Sequence, residues 1–383
     1  MIDSGAVVAE VAAAVGLAEG EGGVRDVIRA VGRHEPVAVR RISRATDLPV
    51  PIVSAICNEL RKRGVVGERR PVRLTAPGRE AFAADRERRR YDASCPACAR
   101  REVVLPTGLE AAVRRTAVLA AKAPPPRVEI DQVHCTVETK LRRVLAMDEA
   151  GALDDRRVLL LGDDDLISLT VVLLARHDGI GRRIRELVVV DVDDRVLRFV
   201  ERAAGRAPFP LRYVRHDLRA PLPQALAGMF ETVCTDPPYT SRGGLLFLAR
   251  AAEATAPARG GEVFLSFGPK RPEETLALQR GIADLGFTVQ RLIRNFNDYV
   301  GAGSLGGTSH LYHLAATPEL RPSPDARYDG PLYTGDLRDP ARRYRCTACG
   351  SEERTGRGRT IEALRVQGCG QCGGTAFAPL SRG

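Results

Sequence analysis

Three consecutive carboxylates, Asp163, Asp164 and Asp165, follow Gly162 at the end of an apolar run, 158–161. A glycine at such a point lets a ligand approach the main chain. Like charge would repel a phosphate, so the triplet suits a cationic ligand: a sulfonium, an amine, or both. Capping the next helix needs one of Asp164 and Asp165, not three acids. About 30 residues after the glycine a second apolar run ends in Asp191, where nucleoside-binding domains place the acid that holds ribose hydroxyls. Asp193 and Asp194 fit caps of the following helix. A third run ends at Asp217, a position near a purine ring in such domains, whereas His216 fits a surface or packing role. A fourth ends in Thr235-Asp236-Pro237-Pro238-Tyr239-Thr240. The prolines stiffen this turn and throw Tyr239 toward the carboxyl edge of a sheet. Such a turn serves N-methyltransferases acting on adenine or glutamine, and it would also grip a polyamine by charge and cation–π contact. A rigid turn with a packed tyrosine is the plainer alternative. Both chemistries use a nitrogen nucleophile, which the turn alone does not name.

The tail carries a second kind of chemistry. Cys346-Thr347-Ala348-Cys349-Gly350 and Cys369-Gly370-Gln371-Cys372-Gly373 are separated by 19 residues. Two such knuckles bring four thiolates to one zinc ion with no ligand position left open, so a structural site is expected; free thiols are the alternative. Cys95-Pro96-Ala97-Cys98 has no second pair nearby. A metal site completed by Cys135 or across a dimer, a redox pair, and plain packing all stay open. Cys57 and Cys234 read as core.

These groups need a scaffold. Strands are predicted at 158–161, 187–192, 211–214, 231–235, 262–267 and 310–315, with helices between them, for example at 166–176 and 194–204. The alternation predicts an α/β, mostly parallel, doubly wound sheet over 127–320. Upstream, Val24, Val27, Ile28 and Val31 recur at helical spacing, and a second helix fits 37–45. After a turn at 47–49, a third fits 50–63 with Val53, Ile56, Cys57 and Leu60 on one face. Two short strands at 65–68 and 72–75 complete a winged helix-turn-helix over 20–90, with a helical tail from 77. Residues 91–126 read as a connector ending in a stiff Pro124-Pro125-Pro126, 322–339 as a linker, and 340–383 as a zinc ribbon.

The chain has 383 residues, 44% hydrophobic and 28% charged, which excludes a largely disordered or collagen-like protein. It contains no run of about 18 uncharged apolar residues. The N-terminus is interrupted by Asp3 and Glu10 and does not read as a secretory signal, so a cytoplasmic protein without a membrane span is expected. The net charge of +10 and pI near 9.4 first suggest an anionic partner. Almost all of that charge is arginine, however, a bias that a GC-rich genome produces unaided. Residues 1–126 hold 22 basic and 15 acidic side chains, 127–320 hold 25 and 26, and 321–383 hold 11 and 7. The excess lies in the flanks. Arg40, Arg41, Arg44, Arg61, Lys62, Arg63, Arg69, Arg70 and Arg73 belong to the N-terminal unit, where DNA contact, dimerisation and a solvated face all stay open. Asp131, Glu138, Asp163, Asp164, Asp165 and Asp236 are expected to converge, attracting a polycation and repelling nucleic acid.

Six segments occur in order: Asp131-Gln132 with Thr136 to Thr139 and Arg142; 161–166; Val190 to Asp193; Asp217 to Arg219 with 221–223; 236–240; and Phe296 to Tyr299. Over about 90–315 they resemble the branched-chain polyamine synthases, the N4-bis(aminopropyl)spermidine synthases, most specifically at 162–166 and 236–240. The resemblance implies a Rossmann-like class I S-adenosylmethionine-type domain behind a winged helix. It implies aminopropyl transfer from decarboxylated S-adenosylmethionine to a polyamine nitrogen, with release of methylthioadenosine. Gly162, Asp163 and Asp191 would then hold the donor, with Pro237 on its side and Asp217 near its adenine. Asp164, Asp165, Asp236 and Tyr239 would face the acceptor and the transferring carbon. Asp131 and Glu138 would hold the acceptor's far end, or serve only structure. A homodimer is also implied. The C-terminal cysteine module is not expected of the family core and leaves room for another amine. The remaining readings are an S-adenosylmethionine-dependent N-methyltransferase or aminocarboxypropyl transferase, and a DNA-binding regulator with a ligand-sensing Rossmann domain.

Overall fold

The computed structural model describes residues 2–17, 20–46, 48–68, 70–83, 93, 95, 102–256, 260–300, 307–322, 327–335, 343–355 and 361–380. At the N-terminus, α1 (Ser4–Val15), α2 (Gly20–His34), α3 (Val39–Thr46) and α4 (Val50–Lys62) precede a short α5 (Ala76–Ala81). The residues that recur at helical spacing in α2 and α4 are buried in one apolar cluster, which Val8 and Val11 of α1 also join. The two short strands expected at 65–68 and 72–75 are not ladders here. They are isolated bridges, Val66 with Leu74 and Val37 with Val72. The helical tail expected from 77 ends at Ala81, and 84–90 and Cys98 lie outside the described residues. Arg33 of α2 pairs with Asp154, in the turn before the first strand, at 3.6 Å.

Apolar runs covered on both faces make parallel strands. β1 (Arg157–Leu161), β2 (Glu186–Asp191), β3 (Leu211–Arg215), β4 (Thr232–Thr235) and β5 (Glu262–Phe267) are parallel neighbours. β6 (Phe287–Asp298) and β7 (Thr308–Ala316) close one edge as an antiparallel pair. The order is β3-β2-β1-β4-β5-β7-β6. The six predicted strands are present to within two residues at each end. β6 is the seventh, unforeseen strand: it lies at the edge, exposes Thr288, Gln290 and Arg294 among others, and so lacks an apolar run.

One face of the sheet is covered by α6 (Glu110–Ala120), α7 (Val137–Ala150), α8 (Ile167–His177) and α9 (Asp194–Ala204), the other by α10 (Ser241–Ala254) and α11 (Pro272–Asp284). The strand order reverses between β1 and β4, which opens a crevice at the carboxyl ends of those strands. In the tail, β8 (Arg343–Cys346), β9 (Glu352–Arg354), α12 (Ile361–Gln367) and β10 (Phe377–Pro379) build a small unit around Tyr344, Leu364 and Phe377, with strand order β10-β8-β9.

Candidate active site

The crevice begins where β1 ends. Gly162 has φ of +81°, and a Cβ there would meet no heavy atom within 4 Å, so the turn leaves open space beside the main chain. The Asp163 N–H donates to the Asp191 carboxylate at 2.9 Å, and the Asp193 N–H donates to its other oxygen at 2.8 Å. Asp191 thus ties the ends of β1 and β2 together, and burial raises its pKa. Asp163 turns inward. It accepts from the Ser168 main-chain N–H at 3.1 Å and from the Ser168 hydroxyl, which caps the first turn of α8. Burial pushes its carboxyl up to about 7.

Asp165 also turns inward, toward α7. Its carboxylate accepts from the Cys135 N–H at 2.5 Å and from Arg143 Nη1 at 2.7 Å, and Lys140 Nζ lies 3.6 Å away. Burial opposes its charge, but Arg143 and Lys140 outweigh burial and hold its carboxyl at about 2. Arg143, itself buried, spends its remaining donors on Asp236 Oδ2 at 2.6 Å, the Tyr299 hydroxyl at 3.0 Å and Asn297 Oδ1 at 2.8 Å. The Tyr299 hydroxyl donates to Asp236 Oδ2 at 2.7 Å and meets the Ser309 hydroxyl at 2.8 Å. Asp236 Oδ1 is buried without a partner. Burial raises the Asp236 carboxyl to about 6 against the pull of Arg143.

Asp164 differs from its two neighbours. It is only partly buried, and no group among the described residues donates to it. Burial and the charges of Asp165, Asp191 and Asp236 raise its pKa well above the usual carboxylate range. Of the triplet, Asp163 and Asp165 are thus engaged by the fold, and Asp164 has no donor among the described residues.

The turn at 236–240 is braced from both sides. Asp131, with φ of +59°, accepts from the Tyr239 N–H at 3.2 Å and the Thr334 N–H at 2.8 Å, and its other oxygen accepts from the Thr334 hydroxyl. Lys270 donates to the Tyr239 carbonyl. The Tyr239 ring stands edge-on to Tyr299, with centroids 5.9 Å apart. Pro237 is buried in the turn. A Cβ on Gly243, in the first turn of α10, would lie 2.6 Å from the Pro238 carbonyl oxygen, so the helix seats directly against the turn.

The predicted acids therefore split. Asp164, Asp165, Asp191, Asp236 and Tyr239 gather around the crevice. Asp163 acts as a cap, and Asp131 has both carboxylate oxygens engaged by the protein. Glu138, in the first turn of α7, is exposed and has no partner among the described residues. Asp217 is half-exposed and accepts from the Arg219 N–H at 3.0 Å and from Arg327 at 2.8 Å. Arg143, Lys140 and Ser309 escaped sequence reasoning. For the two cations the reason is that only the phase of α7 against the sheet turns Lys140 and Arg143 inward among mostly apolar neighbours.

In the tail, the Sγ atoms of Cys346, Cys349, Cys369 and Cys372 all lie within 4.8 Å of one another, with Cys346–Cys372 at 3.6 Å and Cys349–Cys369 at 3.7 Å. Tetrahedral ligation with Zn–S near 2.3 Å requires S···S separations of about 3.8 Å, so the donor set fits zinc. Cys57, Cys135 and Cys234 are buried.

A parallel sheet extended by an antiparallel seventh strand, an open glycine turn after β1 and an acid at the end of β2 define a Rossmann-like domain of the class I S-adenosylmethionine-using type. Comparison with known proteins narrows this class. The family profile of the branched-chain polyamine synthase A C-terminal domain matches residues 111–325. An N(4)-bis(aminopropyl)spermidine synthase of Thermococcus kodakarensis is 33% identical over 273 residues, covering 69% of this chain and 74% of the relative. An uncharacterised protein of Methanocaldococcus jannaschii is 34% identical over 369 residues, covering 96% and 90%. The crystal structure of the Thermus thermophilus branched-chain polyamine synthase, in complex with N4-aminopropylspermidine and 5'-methylthioadenosine, superposes with a TM-score of 0.53 at 28% identity, covering 86% of this chain and 97% of that one. The chain belongs to the branched-chain polyamine synthase family.

Proposed function

We propose that the protein is an aminopropyltransferase that moves the aminopropyl group of decarboxylated S-adenosylmethionine to a polyamine nitrogen and releases methylthioadenosine. The observation that carries this reading is the uncommitted Asp164 carboxylate in a crevice whose other acids are already bonded, within a family whose relatives are spermidine-alkylating synthases. The open turn at Gly162 and the acid Asp191 suit the nucleoside of the donor, and Asp217 stands at the end of β3 on the adenine side. In the reaction the lone pair of a neutral amine attacks the carbon next to the sulfonium. An N–C bond forms, the C–S bond breaks, and the thioether leaves with the electron pair. The new ammonium then loses a proton, and Asp164, whose basicity is raised by burial and by the charges of Asp165, Asp191 and Asp236, accepts it. The free Oδ1 of Asp236 and the Tyr239 ring orient the amine.

Incubation of the protein with spermidine and either donor, read by mass spectrometry, tests this. Methylthioadenosine should form from the decarboxylated donor only when amine is present. S-adenosylhomocysteine from intact S-adenosylmethionine would replace the reading with N-methylation. The same proposal includes a homodimer, checked by light scattering, and a structural zinc in a reducing, cytoplasmic setting. Cys346, Cys349, Cys369 and Cys372 would hold that ion and lock the tail unit around it. Cys349→Ser should abolish the expected one zinc per chain in elemental analysis while leaving aminopropyl transfer within about twofold, because the tail's apolar cluster is separate from those of the sheet.

A further inference from the structure

We propose that the outer face of α3, together with residues 70–73, binds the phosphate backbone of duplex DNA. Ile42 is wholly buried, which turns Arg40, Arg41 and Arg44 of α3 outward, where all three are exposed. Arg40 and Arg44 stand four residues apart and Arg41 and Arg44 three, so they are neighbours on one surface, and the helix carries no acid between them. Main-chain bonds of 3.0 and 2.8 Å between Val37 and Val72 set the chain around Arg70 and Arg73 beside the start of the same helix. Both of these arginines are exposed too. None of the five forms an ion pair among the described residues.

The rest of the unit shows that this is more than an arginine-rich composition. At the end of α4, Arg61 bonds Asn58 and pairs with Glu68, Lys62 pairs with Glu59, and Arg63 pairs with Glu59 and Glu10. The exposed side of α4 borders a cleft shared with α1, where Arg61 and Lys62 lie beside Glu59 and Glu68, so its cations and acids offset one another. Unpaired positive charge is thus concentrated on α3 and the bridged turn, not on α4. Neither α3 nor 70–73 contains an aromatic residue. That composition lacks the stacking platforms single strands need and the aromatic anchors of protein interfaces, whereas a regular row of phosphates asks only for spaced cations.

The test uses the full-length chain and a fluorescein-labelled mixed-sequence DNA duplex of about 20 base pairs, with fluorescence anisotropy between about 50 and 200 mM salt. Each phosphate contact steepens the dependence of log K on log salt by about 0.9, so the wild type should show a slope of about −3 or steeper. The variant R40S/R41S/R44S should be shallower by about 2.7 and bind at least about tenfold more weakly at 100 mM salt. R198S/R202S/R206S removes the same charge from exposed arginines of the central region and should bind within about twofold of wild type. Unchanged thermal melting of both variants shows that they are folded. Four results overturn the proposal: no binding at the lowest salt; equal losses in the two variants, which would make it a net-charge effect; tighter binding of a single strand; or equal binding of polyglutamate, which would point to an acidic protein.

Discussion

Arg143 meets Asp165, Asp236, Tyr299 and Asn297 at once, so one guanidinium decides how the acids of the crevice share their charge. Removing it while keeping most of its volume, as Arg143→Gln, strips Asp236 of its paired cation and leaves Asp165 only Lys140 at 3.6 Å. Stability in denaturant should fall by about 3–5 kcal/mol, the usual cost of orphaning a buried partner. The pH profile separates this from simple damage. Arg143 pulls the Asp236 carboxyl down toward its value near 6, so in the variant Asp236 should protonate at higher pH. The acid limb of kcat/KM should therefore move up. Asp164→Asn has a different signature: a loss of about 10²–10⁴ in kcat with melting unchanged, because no protein group depends on that carboxylate. Asp164 was legible because a triplet is more than a cap requires. Arg143 was not: the sequence shows two adjacent arginines, and only the phase of α7 against the sheet puts Arg143 inside while Arg142 bonds the Val103 carbonyl and lies over Phe296.

At the scale of elements, the turn after β4 is positioned by α10, whose Gly243 allows the helix to touch the Pro238 carbonyl. Gly243→Ala changes no functional group but forces the two apart. Turnover should fall by up to about a hundredfold, with KM for the amine rising, in steady-state kinetics. The other support is α7. Thr136 caps it, and its first turn is stitched to the end of β6: the Thr136 N–H donates to the Asp298 carbonyl at 2.8 Å and the Asp298 N–H donates to the Thr139 hydroxyl at 2.9 Å. Strands buried on both faces were legible from their apolar runs. β6 was hidden because an edge strand needs no continuous apolar run, and its register shift between Ile293 and Asn297 breaks the two-residue alternation. The same shift brings Asn297 and Tyr299 to Arg143, so the element hardest to read supplied part of the site.

For the whole molecule, charge and stability are coupled through the cap of α8. Asp163 holds its proton up to about pH 7 when folded and releases it near 3.8 when unfolded. Between those values the folded state binds more protons, so this group's contribution to stability declines as pH rises. Asp163→Asn should flatten that decline, seen as denaturation midpoints that differ less between pH 5 and pH 8 than those of the wild type. Asp165 has the opposite sign: its stabilisation is complete above its unfolded value and is lost as pH falls toward 2. The sequence located the positive excess in the flanks, but not which arginines are already neutralised by neighbours; that depends on side-chain pairing across α1, α4 and the bridged turn. The antiparallel pair β6–β7 carries a last consequence. Asn297, Tyr299 and Ser309 come from that hairpin, whereas Gly162 and Asp191 come from the parallel core. Under the proposed roles, exchange of that one hairpin would retune Asp236 through Arg143 and leave the residues proposed for the nucleoside in place, so a chimera carrying 287–316 from a relative should change KM for the amine and not for the donor.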